Sequence, residues 1–348
     1  MRGQERGFGF ERGSLGLIIL GVVAMYGLVL GERAGDVVDA TPPPVRAIVH
    51  DAGHGDPAAR PPIEGVSTAS ARVSPGVARD ARTVSAADLA DIFRRIDYRL
   101  GGVGAGARPV PRIVIDRIPA DLADMRSASE RKQVFIKMML PLVLAANERI
   151  LADRREIRAL RDRVGGRPAA LSPSERAWLE RKCRRYGLDD PDFDALLRRV
   201  DMIPPSLALA QAAEESGWGT SRFVREGNAL FGQRTFKRGA GLVPERREDG
   251  QRHEVRVFSR LLDSIMSYMT NLNSHAAYRE FRLSRERQRS VLGRLDGWAL
   301  AGTLTRYSER GEDYVRTIRS IIEANGLRAL DRARLGEEAL ILIAGPKA

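Results

Sequence analysis

From Ser85 onward, apolar residues recur at helical spacing. Leu89, Ile92, Phe93, Ile96 and Leu100 predict a first amphipathic helix, closed by the glycine-rich run 101–107. Ser127-Ala-Ser-Glu130 has the form of a capping box, and the long helix it opens runs to about Arg163 with a kink expected at Pro141. The apolar run 134–144 is too short and too interrupted to span a bilayer, which makes this a core helix. Gly165-Gly166 separates that helix from a second series. Ser172-Pro173-Ser-Glu175 starts one helix, and Asp190-Pro191 starts another. After Pro204-Pro205, Ser206 is placed to cap a short helix whose apolar side carries Leu207, Leu209, Ala210 and Ala213 and which Gly217 ends. Ser221 caps a further short helix that Gly227 ends. Over 243–258 the pattern becomes extended around Asp249-Gly250, a strong hairpin signal. Helices resume over 261–272 and continue to about Asn325. The fold class is mainly α with one small β-hairpin lobe.

Ahead of Ser85 the pattern differs. Nineteen uncharged residues lie between Arg12 and Glu32, enough to span a bilayer core. Arg2, Arg6 and Arg12 precede them, and Glu32, Asp36 and Asp39 follow, so the positive-inside tendency keeps the N-terminus cytoplasmic and exports the rest. An uncleaved inner-membrane anchor is the favoured reading, and a signal peptide cut near Val29-x-Gly31 is its competitor. Residues 35–84 have the Pro, Gly, Ala and Ser content of a flexible linker. Within them His50-Asp-Ala-Gly-His54 holds metal-ligand residue types without an ordered scaffold, so no metal is assigned there. The organisation expected is an anchor or signal segment (1–34), a linker (35–84), a helical extension (85–164), a catalytic domain (165–330) and a C-terminal tail (331–348).

The 348 residues carry a net charge of +12. The basic residues are almost all Arg, spread along the chain and mixed with acids, so they are read as a solvated surface and no nucleic-acid partner follows. The single Cys183 excludes an intrachain disulfide and has neither metal-ligand neighbours nor the partners of a nucleophile. No phosphate loop, zinc spacing or nucleophile elbow is present, so no organic cofactor or metal is assigned.

The chemistry concentrates in Ala210-Gln-Ala-Ala-Glu-Glu-Ser-Gly-Trp-Gly219. Glu214 and Glu215 fall in the last turn of a helix, where the negative end of the helix dipole opposes an ionised carboxylate and burial opposes it further. A carboxyl kept protonated in this way is a general acid. The hairpin carries further acids, Glu245, Glu248, Asp249 and Glu254. A two-residue turn at Asp249-Gly250 sets Glu245 opposite Glu254, a like-charge pair that destabilises a sheet unless an arginine compensates or one acid is protonated. Trp218, Phe231 and Tyr278 are aromatic candidates to line a binding groove, with core packing as the other role open to them.

That decapeptide, then Asn228-Ala-Leu-Phe-Gly232, then Tyr278 in Asn273-Ser-His-Ala-Ala-Tyr278, resemble in order the signatures of bacterial glucosaminidases of glycoside hydrolase family 73, in particular the Bax-like branch. The resemblance covers roughly residues 168–328, and the segment 135–151 is similar to the helical extension of that branch. It implies a lysozyme-like helical fold with a hairpin lobe that cuts N-acetylglucosaminyl bonds in peptidoglycan. Glu215 matches the family's catalytic acid, Tyr278 a tyrosine that approaches the reacting sugar, and Tyr307 and Tyr314 a closing tyrosine motif. The family places its second carboxylate on the first hairpin strand, which ranks Glu245 ahead of Glu254. Where the family sets Asn beside Leu-Phe-Gly this chain has Ala229, and Asn228 is one residue displaced.

The expectation is a peptidoglycan hydrolase, single-pass in the inner membrane with its catalytic domain in the periplasm. A lytic transglycosylase-like muramidase and a non-catalytic peptidoglycan-binding scaffold are the alternatives.

Overall fold

In the computed structural model, the residues described are 84–104, 106, 108–237, 239–244 and 253–337, together with the backbone of 341–343. The expected anchor, the linker with His50 and His54, and Glu245 lie outside them. Among the described residues no helix is long and apolar enough to cross a membrane.

Helix α1 (Ala86–Arg95) starts with a capping box between Ser85 and Asp88. It stops before Ile96 instead of running to Leu100, and the glycine-rich segment expected to be a break forms a short helix, α2 (Leu100–Gly104). Tertiary contact explains the difference: a Cβ on Gly104 would come within 2.9 Å of Ala329 Cβ, so the glycine admits a close approach that a larger residue would block. Strand β1 (Ile113–Ile115) pairs in parallel with β5 (Ile341–Ile343), and Val110 bridges Leu335. Three-residue strands carry too little periodicity to be seen in the sequence.

Helix α3 (Ala128–Arg163) begins where Ser127 Oγ accepts the Glu130 N–H and runs uninterrupted through Pro141. From Val134 to Leu144 it is buried almost all round, as a core helix must be. After the left-handed pair Gly165 and Gly166 comes α4 (Pro173–Arg185), opened by the expected Ser172–Glu175 capping box. Helix α5 (Phe193–Arg199) is capped by Asp192 and not by Asp190. Asp192 accepts the Asp194 and Ala195 N–H groups, and the helix starts two residues later than expected.

Helix α6 (Pro205–Ser216) is the hub, packed against α3 and the later helices and buried along ten of its residues. Ser206 is not its N-cap; Pro204 is. The N–H and hydroxyl of Ser206 instead donate to the Asp331 carboxylate, both at 2.8 Å, and the Gly297 N–H joins them at 2.9 Å. The orphan donors of the first turn are thus met by a carboxylate distant in sequence, at the positive end of the helix dipole. Helix α7 (Arg222–Gly227) is capped by Ser221 as expected, but its left-handed terminus is Asn228, not Gly227.

A three-stranded antiparallel sheet follows, with β4 (Glu254–Arg256) between β2 (Arg234–Thr235) and β3 (Gly241–Leu242). Gly241 pairs with Arg256 and Leu242 with Val255. This register is shifted by two residues from the one a turn at Asp249-Gly250 dictates, and it brings Glu254 opposite position 243 instead of Glu245. Gly241 sets it: a Cβ there would lie 2.3 Å from the Val255 carbonyl oxygen.

Helices α8 (Leu261–Ser274), α9 (Arg279–Leu292), α10 (Gly297–Ala301) and α11 (Glu312–Ala324) complete the domain, with 3-10 turns at Ala276–Tyr278 and Leu327–Arg332. The architecture is mainly helical with a small antiparallel sheet, as the pattern predicts. One group of arginines departs from the solvated-surface expectation. Arg285 is 1% exposed and donates to the carbonyls of Arg198, Arg199, Asp201 and Met202 and to Asn273 Oδ1. Arg289 grips the buried Asp201 carboxylate with two hydrogen bonds. The Arg285 guanidinium meets the last carbonyls of α5 and those of the segment after it, and Arg289 balances the charge of Asp201.

Candidate active site

The last turn of α6 builds the site. Gly217 closes the helix in the left-handed conformation at φ 58°, and Trp218 and Gly219 continue it at φ 59° and 82°. The Trp218 N–H returns to the Ala213 carbonyl, and Ser216 Oγ donates to Ala212 O while accepting the Gly219 N–H. Ser216, Gly217, Trp218 and Gly219 therefore each have a part in the turn that follows Glu215. Glycine is required at 219, where a Cβ would meet Leu122 at 2.9 Å and Phe135 at 3.1 Å. Trp218 rests its ring edge-to-face on Phe135, centroids 5.8 Å apart, with Lys132 Nζ 5.0 Å from the ring centre. Residues of α3 thus support the turn that carries the acid.

The neighbouring acids have different fates. Glu214 accepts from Arg310 Nη1 at 2.7 Å, and Arg310 is held in turn by Thr317. Among the described residues Glu215 meets no cation directly; its Oε1 accepts the Tyr314 hydroxyl at 2.9 Å. Burial pushes its carboxyl up from 4.5 to about 8; the Tyr314 hydrogen bond opposes this, the Glu214 charge adds to it, and Arg310 opposes it more weakly. Glu215 is a carboxyl that keeps its proton at neutral pH, with part of its surface still open to solvent.

Three sequence-selected tyrosines come together. Tyr314 stacks on Tyr307 at 5.3 Å, Tyr307 lies 5.9 Å from Tyr278, and the row continues to His275. It joins three stretches of chain: the turn after α8, the loop before α11 and the first turn of α11. Phe231 is buried and stacks flat on Tyr268, 3.9 Å between centroids. Asn228 is fully buried, and its amide donates to the carbonyls of Phe258 and Ser259, fastening the sheet lobe to α7. Glu254 has both carboxylate oxygens engaged, accepting the N–H groups of Gly239 and Gly241 at 2.9 Å each. It clamps the loop that precedes β3.

Sequence reasoning passed over Gln211, Tyr268 and Arg310. Gln211 had a visible signal, being a polar residue on the buried side of an apolar helix, where it needs partners. Tyr268 is hidden in the apolar face of α8, and Arg310 stands among other exposed charges of a loop.

The family described as mannosyl-glycoprotein endo-beta-N-acetylglucosaminidase matches residues 190–327, a span that holds Glu215, Glu254 and the tyrosine row. Protein bax of Escherichia coli (strain K12) is 34% identical over 200 residues, covering 56% of this chain and 69% of that protein. The chain belongs to the Bax-like glucosaminidase family. Membership makes the helical domain a glycoside hydrolase domain, and a protonated carboxyl at the end of α6 is the group such a glucosaminidase needs. No solved structure is a significant match to this chain.

Proposed function

We propose that this glucosaminidase cleaves β-1,4 N-acetylglucosaminyl bonds in the glycan strands of peptidoglycan, with Glu215 as general acid. The observation that carries the reading is the state of Glu215, a partly buried carboxyl raised to about 8 beside a Glu214 neutralised by Arg310. Its proton passes to the glycosidic oxygen as the bond to the anomeric carbon breaks, and water completes the hydrolysis. A helical domain with a small sheet lobe after the acid suits a lysozyme-like hydrolase; half-buried Trp218 is the aromatic group proposed to border the sugar, and the buried Tyr278 and Tyr307 are proposed to shape the wall behind it. The partner carboxylate is proposed at Glu245 on the hairpin, where it either activates water or orients the substrate's own 2-acetamido group.

Glu254 supports a second reading. With both of its oxygens occupied by backbone N–H groups, a single-carboxylate route becomes attractive, in which the sugar's own hydroxyl attacks and leaves an anhydro end. Mass spectrometry of the products from purified peptidoglycan separates the two. New reducing N-acetylglucosamine ends are expected; anhydromuramic ends support the second reading, and uncut strands that still bind the protein identify a scaffold. An uncleaved N-terminal anchor that holds the domain in the periplasm, within a linker's reach of the inner membrane, belongs to the same proposal. It rests on the charge pattern around residues 13–31.

A further inference from the structure

Three buried polar side chains approach Glu215 in single file. The Tyr268 hydroxyl on α8 donates to Gln211 Oε1 at 2.6 Å. Gln211 Nε2 donates to the Tyr314 oxygen at 2.8 Å, and Tyr314 donates to Glu215 Oε1 at 2.9 Å. Gln211, Tyr268 and Tyr314 are each at most 2% exposed, so solvent cannot substitute for any link. Burial keeps both phenols protonated well beyond the usual range.

The amide is the only member of the chain with a fixed polarity. Its nitrogen can only donate and its oxygen can only accept, whereas a phenol does either. With Nε2 toward Tyr314, the acceptor side of that phenol is filled and its proton is left for Glu215. In this arrangement the Tyr268 hydroxyl supplies the proton that Oε1 accepts. Phe231, stacked flat on Tyr268, holds the Tyr268 ring.

We propose that Gln211 is a positioning residue: through Tyr314 it commits Oε1 of Glu215 to accepting a hydrogen bond, so that the acid carries its own proton on Oε2. A proton on Oε1 would face the Tyr314 proton, so the two tautomers of the carboxyl are no longer equivalent. During cleavage the Oε2–H bond breaks as a new O–H bond forms on the departing sugar oxygen, which also takes the electron pair of the glycosidic bond. Glu215 is left as a carboxylate, and the Tyr314 hydrogen bond becomes charge-assisted and stronger as that charge develops. The arrangement costs nothing in reorganisation because every donor already points along the line. The proposal rests on Glu215 being the acid, and its test is chosen to be readable without activity.

The full chain labelled with [δ-13C]glutamate reports the titration of Glu215 directly, its resonance assigned by loss in Glu215→Gln. Gln211→Met keeps the bulk of the side chain and removes both hydrogen bonds; Tyr314→Phe removes the last donor. Both are expected to move the Glu215 midpoint upward, because a hydrogen bond that favours the carboxylate is lost. On glycan, kcat should fall at least about 10-fold with KM within about two-fold of wild type, the signature of a group that acts in the transition state. The double variant should be no worse than Tyr314→Phe alone, since the two residues act in series. Wild-type titration and turnover in Gln211→Met, or losses that multiply in the double variant, overturn the proposal. If Gln211→Met loses its near-UV circular dichroism, Tyr268→Phe replaces it. That variant removes the hydroxyl that donates to the amide oxygen and should give a smaller upward shift; an unchanged midpoint overturns the proposal. A wild type in which both variants shift the midpoint upward, but which cuts no glycan, contradicts the proposed function and leaves the relay in place.

Discussion

At the scale of single residues, adjacent glutamates on one helix turn take opposite roles because their partners differ. Arg310 gives Glu214 a direct cation, while Glu215 has only a phenol and a buried setting. The folded-state value of about 8 lies above the ordinary 4.5, so Glu215 can act as an acid through neutral pH. The alkaline limb of kcat/KM is therefore expected near pH 8. The same displacement bears on stability. Below 4.5 the carboxyl is protonated whether the chain is folded or not; between 4.5 and about 8 the unfolded chain loses its proton first, so stability falls as pH rises through that window. Glu215→Gln should then be more stable than wild type at neutral pH, by about 1 kcal/mol, and show a smaller decline through that window. Arg310→Met makes a further check. It removes a cation that lowers the Glu215 value and bares the Glu214 charge, so the limb should move to higher pH; a shift downward would contradict the electrostatics described.

At the scale of elements, the decisive piece is the left-handed turn after α6. Three successive positive φ values at Gly217, Trp218 and Gly219 turn the chain sharply, and Leu122 and Phe135 close over the last of them. Gly219→Ala should cost about 2 kcal/mol or more, from the left-handed conformation and the overlap together. Urea unfolding measures this, and a cost below about 0.5 kcal/mol would mean the turn tolerates a side chain. The position of Glu215 in the last turn, the Gly217 terminus, the capping box at Ser172 and the Ser127 cap were all legible in the sequence, because each depends on residues within four positions of one another. The elements misjudged depend on distant partners. Ser206 answers to Asp331, and the sheet register answers to the contact between Gly241 and Val255 and not to Asp249-Gly250. Strands β1 and β5 exist only as a pair of remote segments.

At the scale of the whole molecule, the described residues share one core, in which α3 packs against α6 and α8. Phe135 of α3 touches both Trp218 and the space beside Gly219. A chain beginning at residue 165 would expose this face of α6, and it is expected to lose cooperative unfolding and near-UV circular dichroism. A well-folded, active fragment would show instead that α3 only covers the domain. The candidate site was half legible at this scale. Glu215 and the tyrosines stand in recognisable motifs, whereas Gln211, Tyr268 and Arg310 acquire meaning only when α6, α8 and the loop before α11 converge. Glu254, chosen from hairpin arithmetic, proves to clamp the loop before β3.

If Glu215 is the general acid of glycan cleavage, removing its proton must stop the reaction without unfolding the domain. The most direct test is digestion of purified peptidoglycan by wild type and by Glu215→Gln, with released fragments counted by mass spectrometry and folding and glycan binding checked in parallel. The account predicts a variant that folds and binds as wild type does and has lost at least about 100-fold in cleavage, the smaller end of what a positioned acid contributes. Full cleavage by the folded variant would contradict it.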